Sequence, residues 1–272
     1  MRVAALHIYP LKSAAGLTLE RWPLVPSGLL GDRRFMLVDP NGDFVSLRGT
    51  PRMVTIQAEL DAYGRVRFSA PDAGELVVHS TGDGAGADVD VQLWGEYHGA
   101  EHVSSEADGW FSGILGKPVR LVRFAERRFR QVDQRYARAG DGVHFADGFP
   151  LLVTATASLA MLAEHLGRDA TARVPLSMSR FRPNLVVETE VPFIEDAWRR
   201  LRIGDIEIDL VKPCARCVAV NVEPVTGHTS REPLATLAKL RTRNGKVYFG
   251  QNAIHRGVGT LAVGDPVEVV GP

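Results

Sequence analysis

A series of short strand-like segments separated by turns constrains the fold of this 272-residue chain more than any other feature. Between Phe44 and Val103, apolar and β-branched residues recur in short runs, many of them alternating with polar residues, which is typical of strands with one buried face. The runs are Met53–Leu60, Arg65–Ser69, Glu75–His79, Val89–Trp94 and His98–Val103. Between them lie Ala62–Gly64, Pro71–Gly74 and Thr81–Gly86, which contain the residues that end strands. The pattern predicts a barrel-like or sandwich module.

The rest of the chain adds strands and a few helices, so we predict a mainly β (α+β) fold. Further strands are predicted at Val3–Tyr9, Leu17–Val25, Phe35–Asp39, Val119–Phe124, Phe149–Thr154 and twice within Gly257–Val270. Helices are predicted at Asp108–Leu115, from Thr156 to Gly167, and at Pro233–Arg241 with a capping box of Thr229 and Glu232. We place a domain boundary near 118, giving domains 1–118 and 119–272. Ala125–Gly148 is predicted to be a long surface loop.

Composition excludes several classes of function. The 32 basic residues are balanced by 32 acidic ones, so no overall charge favours nucleic acid or an anionic membrane as a partner. No apolar run reaches the roughly eighteen residues of a membrane span, and the N-terminus lacks the regions of a signal peptide. We therefore expect a cytoplasmic protein whose anion sites, if any, are local.

Both cysteines of the chain lie in one segment, Lys212–Gly227, with the sequence KPCARCVAVNVEPVTG. Cys214 and Cys217 flank Arg216, and only a deprotonated cysteine sulfur is a good nucleophile or ligand for a soft metal. A neighbouring guanidinium favours that form, so Arg216 is a candidate activator. The alternating residues of Ile203–Lys212 and Val218–Val222 predict a strand on each side, with the cysteines in a short connection between them.

Other interpretations of this cysteine pair remain open. A free cysteine can be a small buried hydrophobic residue, which is an even alternative for Cys214 and a weaker one for Cys217. Structural zinc needs four ligands, and His228 and His255 lack the close pairing of a zinc finger. Dithiol exchange is disfavoured because a β-branched run, not a helix, follows the pair. Two cysteines also exclude an internal iron–sulfur cluster held only by cysteines.

Several polar residues at strand and helix ends are candidates for binding an anion. A turn-rich loop after the first strand carries Lys12 and Ser13, and Asp32 can orient either Arg33 or Arg34 at the entrance to another strand. The helix that begins at Thr156 offers free backbone N–H groups with the hydroxyls of Thr154, Thr156 and Ser158. Arg182 and Asn184 precede a buried strand. The alternatives are solvated side chains, exposed ion pairs and simple helix capping.

Seven motifs together resemble one known family. They are YPLKS (9–13), GLLGDRRFMLVD (28–39), SRFRPNLVVE (179–188), PCARCVAVNVEPVTG (213–227), SREPLATL (230–237), FGQNA (249–253) and VGDPVEV (263–269). Their order and spacing are similar to the MOSC family, whose domains are related to the C-terminal part of molybdenum cofactor sulfurase. The resemblance extends to the subgroup with an N-terminal MOSC β-barrel module, which includes the mitochondrial amidoxime reducing component.

This resemblance implies a strand-rich protein that holds the molybdenum cofactor (Mo-molybdopterin). Cys217 would be the catalytic ligand to molybdenum, and Lys12, Ser13, Arg33, Arg182, Asn184 and Arg216 would contact the cofactor, with Thr156 and Ser158 matching less securely. Ala215 replaces a serine of the animal enzymes, so one cofactor hydrogen bond is expected to be missing. Cys214 would be a neighbour of the ligand.

The implied reaction is oxygen-atom transfer from a small N-hydroxylated substrate, such as an amidoxime or hydroxylamine, with an external electron donor such as a ferredoxin-like protein or a flavin reductase. Two alternatives are a cofactor carrier and a sulfur-transfer protein that uses Cys217. The relationship to the sulfurase also makes pyridoxal phosphate binding a possible property of the family. However, we identify no pyridoxal-phosphate domain in this chain that would generate the sulfur.

Overall fold

Strands make up most of the regular structure in the computed structural model, which describes residues 1–61, 63–81, 86–167 and 176–271. In chain order the described strands are β1 Arg2–Ile8, β2 Leu17–Leu19, β3 Arg21–Val25, β4 Gly28–Leu29, β5 Phe35–Val38, β6 Gln57–Leu60, β7 Arg65–Ser69, β8 Glu75–His79, β9 Asp88–Leu93, β10 Glu96–His102, β11 Arg120–Phe124, β12 Leu151–Ala155, β13 Leu185–Glu188, β14 Arg200–Ile203, β15 Ile206–Arg216, β16 Thr242–Arg243, β17 Lys246–His255, β18 Gly259–Ala262 and β19 Glu268–Val269. The predicted mainly β class is confirmed.

Three α-helices and four short 3-10 helices complete the described elements. The α-helices are α1 Ser105–Leu115, α2 Thr156–Gly167 and α3 Leu234–Arg241, and the 3-10 helices are Pro51–Thr55, Met178–Phe181, Ile194–Asp196 and Val218–Asn221. Helix α1 follows the prediction closely, since the Ser104 side chain accepts a hydrogen bond from the Ala107 N–H and Gly116 ends the helix with a positive φ of 65°. None of the described helices is long and apolar enough to cross a membrane.

A nine-stranded sheet forms the larger part of the fold. Its order is β19-β14-β15-β17-β12-β13-β1-β2, with β16 paired to β17. The β12–β13 pair is parallel, and the other described pairs of this sheet are antiparallel. The core on this sheet buries aliphatic residues of six of its strands, including Leu6, Val153, Leu185, Ile208 and Ala253. The first strand of the chain is therefore an interior member of a sheet whose other strands come mostly from the C-terminal half.

Three smaller sheets flank the large one. A four-stranded sheet has the order β5-β11-β10-β9, a second contains β6, β7 and β8, and a third joins β18 to β3 and β4. A separate core forms where Phe35, Phe68 and Phe111 meet edge to face. The short strands of residues 35–124 therefore pair with one another in two sheets, and their core also includes Leu11 and Val222.

Several predicted elements differ from the structure. The segment Leu17–Val25 is divided into β2 and β3, and Met53–Leu60 begins within a 3-10 helix before β6. Val218–Asn221 is a 3-10 helix and not a strand, and Cys214 lies inside β15, with Cys217 directly after it. The predicted breaks at 62 and 82–85 lie outside the described residues.

Two further predictions need correction. The predicted capping box of Thr229 and Glu232 is absent, because the N-cap residue of α3 is Pro233. The first turn is instead capped by Glu232, whose carboxylate accepts from the Thr236 N–H, and by Asn221, whose Oδ1 accepts from the Leu234 N–H. The segment 125–148 is not simply a surface loop, since it buries Val132, Val143 and Phe145. These apolar residues attach the segment to the body of the protein, and this attachment fixes the position of the residues that follow Phe145.

Candidate functional site

Cys217 lies on the wall of a cavity that most of the predicted anion-binding residues also line. The cavity has a volume of about 150 Å³, and Cys217 on its wall is exposed to solvent. Of the predicted site residues, the cavity brings together Lys12, Ser13, Arg33, Arg182, Asn184, Arg216 and Cys217. They come from segments up to about 200 residues apart in sequence, so the site exists only in the folded chain.

Positive charge dominates this cavity. Among the described residues that line it, six are cationic and one is a carboxylate, Asp147; the cations are Lys12, Arg33, Arg48, Arg180, Arg182 and Arg216. Such a concentration of like charge in a concave, partly buried space strongly favours an anionic ligand. The chain as a whole carries no net charge, so the positive potential is local, as the composition requires.

Lys12 is a buried cation on the wall of this cavity. It is only 5% exposed, and it forms an ion pair with Asp147, whose side chain reaches solvent. Its ammonium lies 5.0 Å from the centre of the Phe44 ring and 5.5 Å from that of Trp94. Burial lowers the pKa of Lys12 from its usual value, and Asp147 opposes that change. The aromatic faces and the carboxylate together compensate for the lost solvation of the ammonium.

Arg33 and Arg182 pack against the same aromatic ring, that of Tyr9. Their Cζ atoms lie 4.3 Å and 4.2 Å from its centre, and an Arg33 Nη donates to the Arg182 carbonyl oxygen at 3.0 Å. Asp32 accepts from both the Tyr9 N–H and the Arg33 side chain. Burial and the nearby Arg33 lower the pKa of Arg182 to about 10, which leaves it charged at neutral pH. Tyr9 therefore holds two like charges side by side at the cavity.

The two adjacent arginines Arg33 and Arg34 face different surroundings. Arg33 lines the cavity, whereas Arg34 donates to the Ser80 carbonyl oxygen at 2.9 Å and to Glu126 at 2.5 Å. Only 6% of Arg34 is exposed, so it does not point into solvent. This arrangement matches the prediction that one of the pair faces a site, and it identifies Asp32 as the residue that orients Arg33.

Two guanidinium groups of the cavity leave buried nitrogen atoms without a partner. Arg182 donates through Nη1 to the Ala14 carbonyl oxygen at 2.6 Å, but its Nη2 has no hydrogen-bond partner in the described part of the chain. Arg216 donates through Nη2 to the Phe181 carbonyl oxygen at 2.8 Å, and its Nε is likewise unpartnered there. Buried donors without acceptors are costly, and the described residues leave these two nitrogens without one.

Backbone strain is concentrated around the same cavity. Seven non-glycine residues in the described ranges have a positive φ, and four of them line the cavity: Ser13, Arg33, Trp94 and Arg182. Each such conformation costs roughly 1–3 kcal/mol and persists only where the surrounding structure enforces it. The strained backbone positions therefore coincide with side chains that line the cavity.

Arg216 contacts the first cysteine and not the second. Its Nη1 donates to Cys214 Sγ at 3.0 Å, so the thiol that this candidate activator contacts is Cys214. Cys217 follows the end of β15 and precedes the 3-10 helix Val218–Asn221, and its side chain remains exposed. The two thiols are thus distinguished: Cys214 has a cationic partner, and Cys217 is open to a ligand.

Thr156 and Ser158 do not belong to the cavity, which corrects their predicted role. Thr156 Oγ1 accepts from the Thr189 N–H at 3.1 Å, and Ser158 Oγ donates to Glu195 at 2.8 Å and accepts from the Phe193 N–H at 2.7 Å. The same hydroxyls that suggested an anion site instead attach helix α2 to the segment that follows β13. The local sequence could not reveal these partners, because they lie more than thirty residues away.

Asn184 lines the cavity but uses its amide elsewhere. Its Oδ1 accepts from the Leu152 N–H at 3.1 Å, and its Nδ2 donates to the His7 carbonyl oxygen at 3.2 Å. It therefore joins β12 and β1 across β13. The prediction missed Phe44, Arg48, Trp94, Asp147 and Arg180, all of which line the cavity. Of these five residues, the sequence offered a signal only for Trp94, because a bulky tryptophan is unusual in a tight turn.

Candidate metal ligands are few among the described residues of this cavity. The described residues contain no group of three or more His, Cys, Asp or Glu side chains that could hold a metal ion. Cys217 offers a single soft sulfur. A cavity of about 800 Å³ elsewhere is lined by Trp22, Leu30 and Phe124, but it contains neither cysteine. We therefore take the smaller cavity as the candidate site, because the cysteines line it, although its volume is smaller.

Comparisons with known proteins identify the family of this chain. Sequence profiles of the MOSC N-terminal beta barrel domain and of the MOSC domain match residues 1–118 and 140–268. Mitochondrial amidoxime-reducing component 1 of Homo sapiens is 32% identical, and the match covers 99% of this chain and 83% of that protein. The chain belongs to the MOSC family. The predicted family membership is confirmed.

Other relatives extend the comparison of this MOSC protein. Mitochondrial amidoxime reducing component 2 of Homo sapiens is 31% identical, over 97% of this chain and 82% of that protein. Molybdenum cofactor sulfurase of Oryza sativa subsp. japonica is 28% identical over 92% of this chain, but the chain spans only 32% of that relative. The MOSC protein thus matches the amidoxime-reducing components over most of their length and the sulfurase over about a third.

Proposed function

We propose that this MOSC protein is a molybdenum-cofactor-dependent oxidoreductase that reduces small N-hydroxylated compounds, such as amidoximes or hydroxylamines, with electrons from an external donor. One observation carries the proposal: an exposed soft sulfur, Cys217, shares a cavity with six cations and a single carboxylate. The cations suit the phosphate of a phosphate-bearing cofactor, and the sulfur suits the metal of a cofactor that brings its own further metal ligands. The names of the relatives support the same conclusion.

The residues present fit such a cofactor. Arg182 and Arg216 each have a buried nitrogen that lacks a partner in the described part of the chain, and a phosphate or pterin acceptor would satisfy it. Lys12 and Arg33 would add positive charge toward the phosphate, and Ser13 would add a short polar side chain. Cys217 would provide the protein ligand to the metal. When bound, the cofactor would supply two-electron oxygen-atom transfer.

The chain's own residues would have two tasks in this reaction. Lys12, Arg33, Arg182 and Arg216 would hold the cofactor, and the Cys217 sulfur would be the protein ligand to its metal. Overall, the substrate N–OH group takes up two electrons and two protons and gives N–H and water. We propose a ferredoxin-like protein or a flavin reductase as the external electron donor. The cytoplasmic location remains a prediction from sequence.

Reduction of an aromatic amidoxime by reduced methyl viologen tests this function. We expect turnover with protein that was expressed in a host that makes the cofactor, and a loss of at least about a hundredfold in Cys217→Ala, because its metal ligand is removed. The matched control is Cys214→Ala, which removes the neighbouring thiol and is expected to retain activity within about fivefold. Equal activity of wild type and Cys217→Ala would contradict the proposal.

A second candidate, sulfur transfer, is favoured by the exposure of Cys217 and by the sulfurase relatives. Here the Cys217 thiolate would attack the outer sulfur of a donor persulfide, taking that sulfur and releasing the donor thiolate. Mass spectrometry of metal-free protein after incubation with a low-molecular-weight persulfide would detect a gain of one sulfur on Cys217. Cofactor carriage without turnover would instead give bound cofactor and no activity in the reductase assay.

A further inference from the structure

Trp94 occupies a backbone position that disfavours bulky side chains. Strands β9 and β10 are joined by the two-residue turn Trp94-Gly95, in which φ is 57° and 86°. Turns with two positive φ values favour Asn-Gly, because a large L-residue is strained in the left-handed region. Nothing in the hairpin itself requires an indole there. The tryptophan therefore calls for an explanation outside the hairpin.

The indole of Trp94 lies on the wall of the cavity that contains Cys217. It is 47% exposed, and the edge of the half-buried Phe44 ring meets it with ring centres 5.5 Å apart. Nearly half of the tryptophan is therefore open to solvent, and the Lys12 ammonium lies 5.5 Å from its ring centre. Aromatic rings stack on an exposed indole, with a stabilisation beyond that of simple burial.

Arg48 lies beside this indole, with its Cζ 4.6 Å from the ring centre. Its Nε donates to Ser46 Oγ at 3.2 Å, and its side chain has no carboxylate partner within the described ranges. Lys12 and Arg33, by contrast, are paired with Asp147 and Asp32. Arg48 is therefore a cavity cation whose two terminal nitrogens remain available for bidentate pairing with an incoming anion.

We propose that Trp94 and Arg48 form a substrate subsite for planar aromatic compounds that carry a carboxylate. The ring stacks on the indole, the carboxylate pairs with the Arg48 guanidinium, and the N-hydroxylated group of the same molecule reaches the side of the cavity where Cys217 is exposed. This inference rests on the proposed reductase function for the reacting group. It adds the substrate class, an anionic aromatic compound, which the function alone does not specify.

The subsite is tested by binding analogues that cannot be reduced. 4-Carbamoylbenzoate and the uncharged terephthalamide share ring and amide but lack an N–O bond, so their affinity for cofactor-loaded protein is measurable by calorimetry without turnover. We expect wild type to bind the carboxylate at least about tenfold more tightly than the uncharged compound, and Arg48→Gln to remove that difference. The matched control Arg52→Gln removes an exposed arginine outside the cavity and is expected to keep it.

The indole is tested with two substitutions. Trp94→Asn suits the left-handed turn and removes the ring, so we expect both analogues to bind about tenfold more weakly while the melting temperature is unchanged or higher. Trp94→Phe retains a ring and is expected to lose less than about threefold. Equal binding of the two analogues by wild type, or a preference that survives Arg48→Gln, would overturn the subsite.

Cofactor content separates this proposal from the proposed function. Arg48→Gln and Trp94→Asn are expected to contain as much molybdenum and pterin as wild type. A loss of cofactor in either variant would place the residue in the cofactor site and overturn the subsite. If wild type holds cofactor but reduces no N-hydroxylated compound, the reductase function fails, and the analogue affinities still decide the subsite.

Discussion

Tyr9 supports two arginines of the cation cluster. Its ring contacts the guanidinium groups of Arg33 and Arg182, and a Cβ at Gly16 would lie only 2.4 Å from its Cε1. Gly16 is therefore needed because the ring occupies the space of a side chain. The Tyr9 hydroxyl is buried and has no partner among the residues that the structure describes. The ring, and not the hydroxyl, performs the positioning.

The ionisation of Tyr9 gives a prediction at this scale. Burial raises its pKa from 10.0 to about 12, and the nearby arginines oppose the change. Since the unfolded chain loses this proton near pH 10 and the folded chain near 12, the associated stability is present below pH 10 and is lost as pH rises to 12. We expect the unfolding free energy to fall more steeply over this interval in wild type than in Tyr9→Phe, by on the order of 2 kcal/mol.

Denaturant unfolding of cofactor-free protein at several pH values between 8 and 12.5 measures this difference. At pH 8 we expect Tyr9→Phe to be as stable as wild type or slightly more stable, because it removes a buried hydroxyl that the described structure leaves unpartnered. Parallel pH profiles for the two proteins would contradict the assigned role of burial at Tyr9.

Among the elements, the β15–β17 pair brings the cysteines to the cavity. Its register shifts between Leu210 and Lys212 and again between Pro213 and Ala215. Gly250 lies opposite the second irregularity, with φ at 75°, and a Cβ there would approach the Val153 carbonyl oxygen to 2.8 Å. The bulged end of β15, and so the position of Cys214 and Cys217, depends on a glycine in the neighbouring strand.

Substitution of Gly250 tests this dependence. Gly250→Ala forces a Cβ against the backbone of β12 and into a strained φ, so we expect a loss of about 2–4 kcal/mol in unfolding free energy. The matched control is Gly109→Ala on the exposed side of α1, where a Cβ meets nothing within 4 Å and helix propensity favours alanine by about 0.5–1 kcal/mol. Chemical denaturation of both variants gives the comparison, and an undisturbed Gly250→Ala would contradict it.

The sequence predicts elements where local pattern determines them. Strands β7 and β8 and helix α1 follow from alternation, turn residues and a serine cap. Val218–Asn221 was predicted incorrectly because its β-branched residues resemble a strand, whereas the Val220 N–H bonds to the Cys217 carbonyl oxygen within a 3-10 turn. Lys12, Arg33 and Arg182 were found through motifs. Asp147 and Arg48 were missed because only tertiary folding brings them to the cavity.

In the whole molecule, folding brings like charges together, and their repulsion lowers the stability of the folded state. Residues from both halves of the chain place six cations around one cavity with one carboxylate among the described lining residues. In the absence of an anion their mutual repulsion destabilises the folded state, and a bound anion relieves it. This accounts for a local site of strong positive potential in a chain that has no net charge.

Anion binding is therefore expected to raise thermal stability. Cofactor-free protein in inorganic pyrophosphate, at about a hundred times the dissociation constant, should gain about 2.7 kcal/mol, or a rise of roughly 5–10 °C in Tm. Sodium chloride at equal ionic strength provides the reference for screening. Arg182→Gln should lose most of the rise, whereas Arg52→Gln should retain it. An identical response of all three proteins would show that pyrophosphate acts outside this cavity.

The molybdenum and pterin content per chain tests the central claim most directly. Wild type, Cys217→Ala and Cys214→Ala would be purified from a host that makes the cofactor, and metal and pterin measured separately. We expect nearly one molybdenum per wild-type chain, the same for Cys214→Ala, and a clear loss of metal in Cys217→Ala with pterin retained at least in part by the cations. Wild-type protein without molybdenum or pterin from such a host would contradict the cofactor-dependent function.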